Sequence, residues 1–481
     1  MKTQIYERKC KDDVNGNQGD KMSASHGPKV VLIGAGSLFF GRQAIWQMAH
    51  SVHLQKGTLS LVDINAAHLA RMKTLADKVV EHTGVPLRIE ASTKACDVLA
   101  GADFVVFSFA DHSVKYRGID CEVALKYGIR MCSGDTIGPG GIMRTLREFP
   151  HILGYCRDIE KLCPEAWVIN YINPTAANGI GLRLFAPKLK TFALCDGLHM
   201  PHVKRFYARR AGIIRDDAEW TEALAAAFDF RIAGPNHFTW LLKAVYEGRD
   251  MVPAIADYMR RNAARETEGG DTGAKTRFNE SISSALYEAF GHVPTCTAHT
   301  KEYFRFWQGL GKTAESLPPL SIWETAERYE RHADMWNEVD AYVLGAEPIG
   351  QFLVKTGPDH ATDVIEAMWA GLDKPFFINT ANDGAVPNMP DDAFLEMLCD
   401  VGMNRIAPRP VGNAPLGLRG LWQQVLDTHE LTACAAAKCD RELLYRAFLC
   451  DPLVSSLADS RVMMDELLEK EAAALPEAWR K

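Results

Sequence analysis

Lys29 to Gly41 reads KVVLIGAGSLFFG: a short β-branched apolar run, a pair of glycines, and then a helix-compatible stretch from Ser37 to Ala49. A strand delivering a Gly-x-Gly turn onto a helix N-terminus is a dinucleotide-binding arrangement. Without side chains at Gly34 and Gly36, the chain can turn tightly and a pyrophosphate can approach the free N–H groups and positive end of the helix. A second apolar strand, Thr58 to Ile64, carries Asp63 and is followed by an amphipathic pattern through His82. An acid at the end of that strand is placed to accept hydrogen bonds from a ribose 2′-hydroxyl, which favours NAD over NADP. The third glycine position is Phe39, with Gly41 displaced by two, and a bare tight strand-to-helix turn is the alternative reading of Gly34 to Ser37. Further apolar strands at Phe104 to Phe109, Trp167 to Asn170 and Thr191 to Leu194 alternate with helical patterns. This order predicts a Rossmann-type, doubly wound parallel sheet over residues 28–195.

Beyond Asp196 the pattern turns to longer helices, such as Pro253 to Ala264 and Ile322 to Gly345, with few clear strands. Residues 196–481 are therefore expected to form a second α/β lobe, with a helical tail from Arg441 to Lys481. No Gly/Ser linker separates the two, so one compact unit with a cleft between lobes is expected. Residues 1–27 are polar and read as a disordered leader. The 481-residue chain is 47% hydrophobic and 24% charged, as globular proteins are. Its formal net charge of -7 argues against a nucleic-acid-binding protein, which needs a basic footprint. No apolar run reaches the roughly 18 residues of a spanning helix and the N-terminus lacks an apolar signal region, so a cytoplasmic protein is expected. The 12 cysteines form no CxxC pair and read mostly as reduced core residues.

Three segments are dense in chemistry-bearing residues. Gly138 to Gly141, Gly-Pro-Gly-Gly, reads as a backbone-rich ligand loop or as an ordinary turn. In INYINPTA, Asn173-Pro174 follows a strand at its carboxyl end, the usual ligand side of such sheets. Cys195-Asp196-Gly197 closes the next strand, and Asn236-His237 lies in AGPNHFTWL. A thiolate and an imidazole from separate strand ends can hold one divalent cation and leave positions open to substrate oxygens. Singly, Cys195 also reads as an inert buried thiol and His237 as a hydrogen-bonded core histidine.

Taken together, KVVLIGAGS, LVDI, GADFVV, ALKYG, GDTIGPGGIMRTLREFP, INYINP, ALCDG, GPNHFTW, TAHTKEY and NTANDGAVPNMPDD resemble, in order and spacing over residues 28–410, the family 4 glycoside hydrolases. The resemblance implies a lactate/malate dehydrogenase-like fold and dependence on NAD and a divalent metal, usually manganese. It implies Cys195 and His237 as metal ligands, Asn173 beside substrate and nicotinamide, and Gly34, Gly36, Ser37 and Asp63 around the dinucleotide. It also implies oxidation at sugar C3, removal of the C2 proton, elimination of the C1 substituent, addition of water and return of the hydride, in contrast to the two-carboxylate glycosidases. Asp196 would protonate the leaving oxygen, or else cap the following helix. The base is assigned to Tyr303, with His299 as competitor and packing as the alternative part for the tyrosine. Cys-Asp points to 6-phospho-α-glucosides, whereas the HxxEY-like segment and NHFTW point to unphosphorylated α-hexosides or α-uronides, the preferred reading. A homodimer or homotetramer is implied. The competing function is an NAD-dependent hydroxy-acid dehydrogenase, which needs no metal.

Overall fold

The computed structural model describes residues 26–268, 280–296, 299–309, 320 and 322–480, so the leader expected over 1–27 lies outside the described residues apart from its last two positions. Six parallel strands, β1 (Lys29–Ile33), β2 (Thr58–Val62), β3 (Arg88–Ser92), β4 (Phe104–Phe107), β5 (Trp167–Asn170) and β6 (Lys190–Ala193), stand in the order β3-β2-β1-β4-β5-β6. This is the doubly wound order, with its crevice where β1 meets β4. β3 was absent from the sequence reading. Its residues, RIEAS, are exposed or half-buried at the sheet edge, so they carry no apolar run to betray a strand.

The inner strands are apolar on both faces because both are covered. Val30, Leu32, Leu59, Leu61, Phe104 and Val106 enter one core with the helices Phe40–His50 and Ala66–Thr83. Val31, Ile33, Val105 and Phe107 enter the other, against the helices Gly138–Leu162 and Thr175–Phe185. The helix Ala66–Thr83 starts where the Asn65 side chain accepts the N–H groups of Ala67 and His68, and stops at Gly84 in the left-handed region. A cap of that kind contributes about 1 kcal/mol.

The expectation of few strands after Asp196 is corrected: β7 (Asp229–Gly234), β8 (Trp240–Tyr246), β9 (Arg249–Asp250), β10 (Val293–Pro294), β11 (Phe376–Ala381), β12 (Phe394–Val401) and β13 (Ile406–Pro408) are all present. Several are short or interrupted by Gly and Pro, which hides them from periodicity. They extend the same sheet: β11 pairs antiparallel with β6 through Asn379 and Ala193, and β12, β7, β8 and β10 follow outward. The later helices fold back over the first strands. Arg42 pairs with Glu338 at 2.7 Å, Trp46 Nε1 donates to Leu353 O at 2.9 Å, and Ser51 donates to Glu366 at 2.7 Å. The helix Leu416–Lys438 packs on Gly138–Leu162, and the tail forms the helices Arg441–Cys450 and Leu457–Lys470.

Gly138 to Gly141 is neither ligand loop nor simple turn. It is the buried first turn of Gly138–Leu162, and the Gly138 N–H donates to Asp451 Oδ2 at 2.8 Å. A Cβ on Gly140 would lie 2.4 Å from Gly134 O and one on Gly141 2.6 Å from the Thr136 carbonyl carbon, so these glycines let residues 134–136 lie flat on the helix start. No helix among the described residues is long and apolar enough to cross a membrane.

Candidate active site

At the end of β1 the N–H groups of Gly34 and Ala35 both donate to Val62 O, at 2.8 and 2.9 Å, locking the turn to β2. Gly34 has φ +96, and a Cβ there would sit 2.6 Å from Phe109 N, at the β1–β4 crevice. A Cβ on Gly36 would meet Asp63 Oδ2 at 2.7 Å; the Gly36 N–H instead donates to that oxygen at 2.8 Å, while Asp63 Oδ1 accepts from Asn65 N at 2.8 Å. Ser37 N donates to Gly34 O at 2.9 Å. Gly41 does the packing work of the missing third glycine, since its Cβ would fall 2.4 Å from Ala35 O.

On the same carboxyl-terminal edge of the parallel strands, Asn170 and Asn178 both donate to Ile172 O, at 3.0 and 2.9 Å, and shape the loop that carries Asn173, whose Oδ1 accepts from the Thr175 hydroxyl at 2.8 Å. Cys195 follows β6. Its sulfur accepts the Gly197 N–H at 3.4 Å and its carbonyl oxygen lies 2.8 Å from His360 Nδ1. Burial and the neighbouring His199 push His360 down to about 3, so it is a neutral donor to Cys195 O. Asp196 begins the short turn Asp196–Leu198; its side chain lies outside the described residues.

His237 occupies the turn between β7 and β8 in the left-handed region, φ +61, a conformation held by its surroundings: Phe238 N donates to Pro235 O at 2.8 Å and the Thr300 hydroxyl to His237 O at 3.0 Å. Its Nε2 lies 3.4 Å from Cys195 Sγ, its Nδ1 lies 3.1 Å from Cys296 Sγ, and its ring centroid is 4.2 Å from that of His299. His299 Nδ1 lies 3.2 Å from Glu302 Oε2, and Glu302 Oε1 accepts the backbone N–H groups of Cys132, Ser133 and Gly134 at 2.6, 2.6 and 3.3 Å. Tyr303 is fully buried, stacks on Phe238 at 4.7 Å and donates its hydroxyl to Asn236 O at 2.7 Å; burial first, then Cys296 and Glu302, raise its phenol well above the usual range.

Charge is concentrated around this corner. Burial alone would raise the Asp135 carboxyl, but Arg117 at 3.2 Å and Arg144 at 2.9 Å outweigh it and hold it below the ordinary carboxylate range. One helical turn beyond Arg144, Glu148 accepts Asp111 N at 3.2 Å, and burial pushes it up to about 7 against the pull of Arg144 and Arg147. The donor set at Cys195 and His237 fits a divalent cation: a soft thiolate and an imidazole 3.4 Å apart can both reach one ion at bond lengths of roughly 2.0–2.3 Å. Among the described residues no third His, Cys, Asp or Glu joins them as a cage.

Comparison with known proteins shows the family of the chain. Residues 29–204 match the model of the family 4 glycosyl hydrolases and residues 232–454 that of the family 4 glycosyl hydrolase C-terminal domain. The chain belongs to the family 4 glycosyl hydrolases. This family 4 chain is 26% identical over 456 residues to an alpha-galactosidase of Bacillus subtilis (strain 168), covering 93% of this chain and 99% of the relative. It is 27% identical over 469 residues to an alpha-galacturonidase of Thermoanaerobacter italicus, covering 94% and 97%. Its fold matches a 6-phospho-alpha-glucosidase from gut microorganisms, solved in complex with NAD and Mn2+, with a TM-score of 0.75 at 21% identity, covering 94% of this chain and 99% of that one. It matches the 6-phospho-beta glucosidase of Thermotoga maritima with a TM-score of 0.71 at 20% identity, covering 94% and 99%.

Of the residues singled out in the sequence of this family 4 enzyme, the structure joins Cys195 to His237 and Gly36 to Asp63, keeps Ser37 in the glycine turn, and sets Asn173 at the edge where Cys195 emerges. It turns the Tyr303 hydroxyl toward a backbone carbonyl. Sequence reasoning missed Cys296, Glu302, Asp135 and His360. The His299 and Glu302 spacing of three was a usable signal; the contact of Cys296 with His237, across 59 residues, was not.

Proposed function

We propose that this family 4 glycosyl hydrolase cleaves unphosphorylated α-hexosides or α-uronides, using NAD and a divalent metal, Mn2+ for choice. Residues 28–195 serve as the dinucleotide-binding lobe and 196–481 complete the substrate site. The observation that carries the reading is the 3.4 Å approach of His237 Nε2 to Cys195 Sγ, on the sheet edge that also bears the Gly34 turn. The names of the relatives, an alpha-galactosidase and an alpha-galacturonidase, support the sugar class.

When bound, NAD takes and returns the C3 hydride and the cation withdraws charge from the adjoining oxygens, which makes the C2 proton removable. Cys195 and His237 would hold the cation, with the Cys195 sulfur kept in place by the Gly197 N–H at 3.4 Å. Gly34, Gly36 and Ser37 would give the pyrophosphate a backbone surface without a side-chain barrier, and Asp63 would orient the ribose. Asn173 would set substrate against nicotinamide, and Asp196 would protonate the leaving oxygen. Tyr303, or else His299, would take the C2 proton; in this structure the tyrosine hydroxyl donates to Asn236 O at 2.7 Å. We further propose a cytoplasmic homodimer or homotetramer, which light scattering and cell fractionation will test.

The decisive experiment is a panel of p-nitrophenyl α- and β-glycosides, including glucosides, galactosides, glucuronides, galacturonides and 6-phosphoglucosides, with NAD and Mn2+ and with EDTA or NAD-stripped controls. Nitrophenol release that needs both additions supports the mechanism and names the sugar. Release indifferent to both overturns it, and preference for a 6-phosphoglucoside overturns the sugar class alone.

A further inference from the structure

Cys195 and His237 leave the sheet from different strands, β6 and β7, and β11 and β12 lie between them. One row of residues crosses all four strands: Ala193 pairs with Asn379, Asn379 with Glu396, and Glu396 with Gly234. The row ends just before Cys195 on one side and just before the His237 turn on the other. Its two central members are polar and deeply buried, Asn379 at 0% exposed and Glu396 at 2%, on a face that otherwise carries Ile232, Phe377 and Leu398. Asn236, itself buried, reaches back from the turn and donates its side-chain amide to Glu396 Oε2 at 3.2 Å. Gly234, φ +152, lets the chain fold back there, since a Cβ would fall 2.4 Å from Phe238 O. Neither amide atom of Asn379 has a hydrogen-bond partner among the described residues. Burying an amide in that way beside a carboxylate costs stability, and apolar residues of similar volume would pack here at less cost. The polar rung therefore calls for an explanation other than core packing, and its one directed contact is with the residue preceding His237.

We propose that Glu396 is a positioning residue of the metal pair, acting through Asn236 to fix the left-handed turn that carries His237. The inference rests on the reading of Cys195 and His237 as metal ligands. Adjacent strands stand about 4.8 Å apart, so three strand spacings separate the ends of β6 and β7 by roughly 14 Å, yet Cys195 Sγ and His237 Nε2 approach to 3.4 Å. The loops after the two strands make that convergence, and the conformation of the β7–β8 turn decides where the imidazole ends. His237 sits at φ +61, which a residue with a side chain keeps only where its surroundings impose it. A carboxylate on the interior strand β12 is a firmer anchor than one on a loop, so the Asn236–Glu396 bond ties the turn to the sheet one residue before the ligand. Asn379, opposite Glu396 on β11, keeps the other flank of the carboxylate polar.

The test uses the full chain, Mn2+ and NAD as separate probes, and the variants Glu396→Ala, Glu396→Gln, Asn236→Ala and the double alanine variant. Mn2+ affinity is read by electron paramagnetic resonance titration and NAD affinity by calorimetry. Glu396→Ala should weaken Mn2+ binding by about 10–100-fold while NAD affinity stays within about threefold of wild type. Asn236→Ala should lose a comparable factor, and the double variant should lose little more than either alone, because both changes cut one connection. Glu396→Gln keeps the shape and an acceptor oxygen, so its Mn2+ affinity should lie within about threefold of wild type. Unchanged Mn2+ affinity in the alanine variants, losses that multiply in the double variant, or a Glu396→Gln as weak as Glu396→Ala would each overturn the proposal. Equal falls in Mn2+ and NAD affinity would overturn it too, since a general packing defect reaches both sites. Asn236→Ala, a change at a turn, keeps the test open should Glu396→Ala fail to fold. Mn2+ affinity that survives both Cys195→Ser and His237→Ala condemns the metal-pair reading instead.

Discussion

The Gly34 turn and the Cys195–His237 corner lie on one edge of one sheet yet are built in opposite ways. The first is backbone: two glycines, three N–H groups and one carboxylate, drawn from residues 34 to 63 and pinned to Val62 O and Asp63. The second is side chains resting on side chains, with sulfur, two imidazoles and a carboxylate arriving from residues 195, 237, 296, 299 and 302. The glycine turn tolerates no added atom but depends on little else. The corner depends instead on the neighbours that orient its rings, as metal sites do.

That contrast can be broken most directly at His237. His237→Ala should weaken Mn2+ binding beyond the roughly 10–100-fold that outer partners cost, while NAD affinity stays within about threefold; calorimetric titration with each ligand checks both. If NAD binding falls equally, the two regions are not separable. The converse substitution, Gly36→Ala, places a methyl 2.7 Å from Asp63 Oδ2 and should weaken NAD about tenfold, some 1.4 kcal/mol, with Mn2+ binding intact. Gly34→Ala adds backbone strain, because φ +96 and a contact at 2.6 Å with Phe109 N leave no room to relax; a melting curve should show roughly 1–3 kcal/mol of lost stability.

The smallest effect concerns Asp451, which anchors the helix start beneath the corner. Burial pushes its carboxyl up to about 7 against the N–H groups of Leu453 and Gly138. A raised folded value means that the folded state holds the proton more tightly than the unfolded chain. Its contribution is therefore most favourable below about pH 4 and is lost as pH rises toward 7. Asp451→Asn removes that titration, so its Tm relative to wild type should climb across this interval; a flat difference would show that Asp451 does not govern the pH response.

Much of the fold was legible because its signals are local. An apolar β1, the GAGS turn and Asp63 fall within 35 residues and each has a single physical use. β3 was not, because an edge strand with exposed residues needs no apolar period. Gly138 to Gly141 misled for a related reason: glycine marks close approach, and the approaching partner proved to be residues 134–136 rather than a ligand. Family motifs brought Cys195 and His237 forward as a pair. The cradle of N–H groups around Glu302 left no trace, since backbone donors are the same whatever the side chain.

One topological detail reaches beyond catalysis. β6 is closed on its outer side by β11, which starts at Phe376, nearly two hundred residues downstream of Lys190. During synthesis the first six strands can assemble as they emerge, but the row of main-chain groups along β6 then faces open solvent until residues 376–381 leave the ribosome. At roughly 5–20 residues per second this interval lasts on the order of ten seconds or more. An unpaired strand edge exposed that long is a template for the wrong partner, so the nascent chain, more than the finished enzyme, is where this protein needs protection from aggregation.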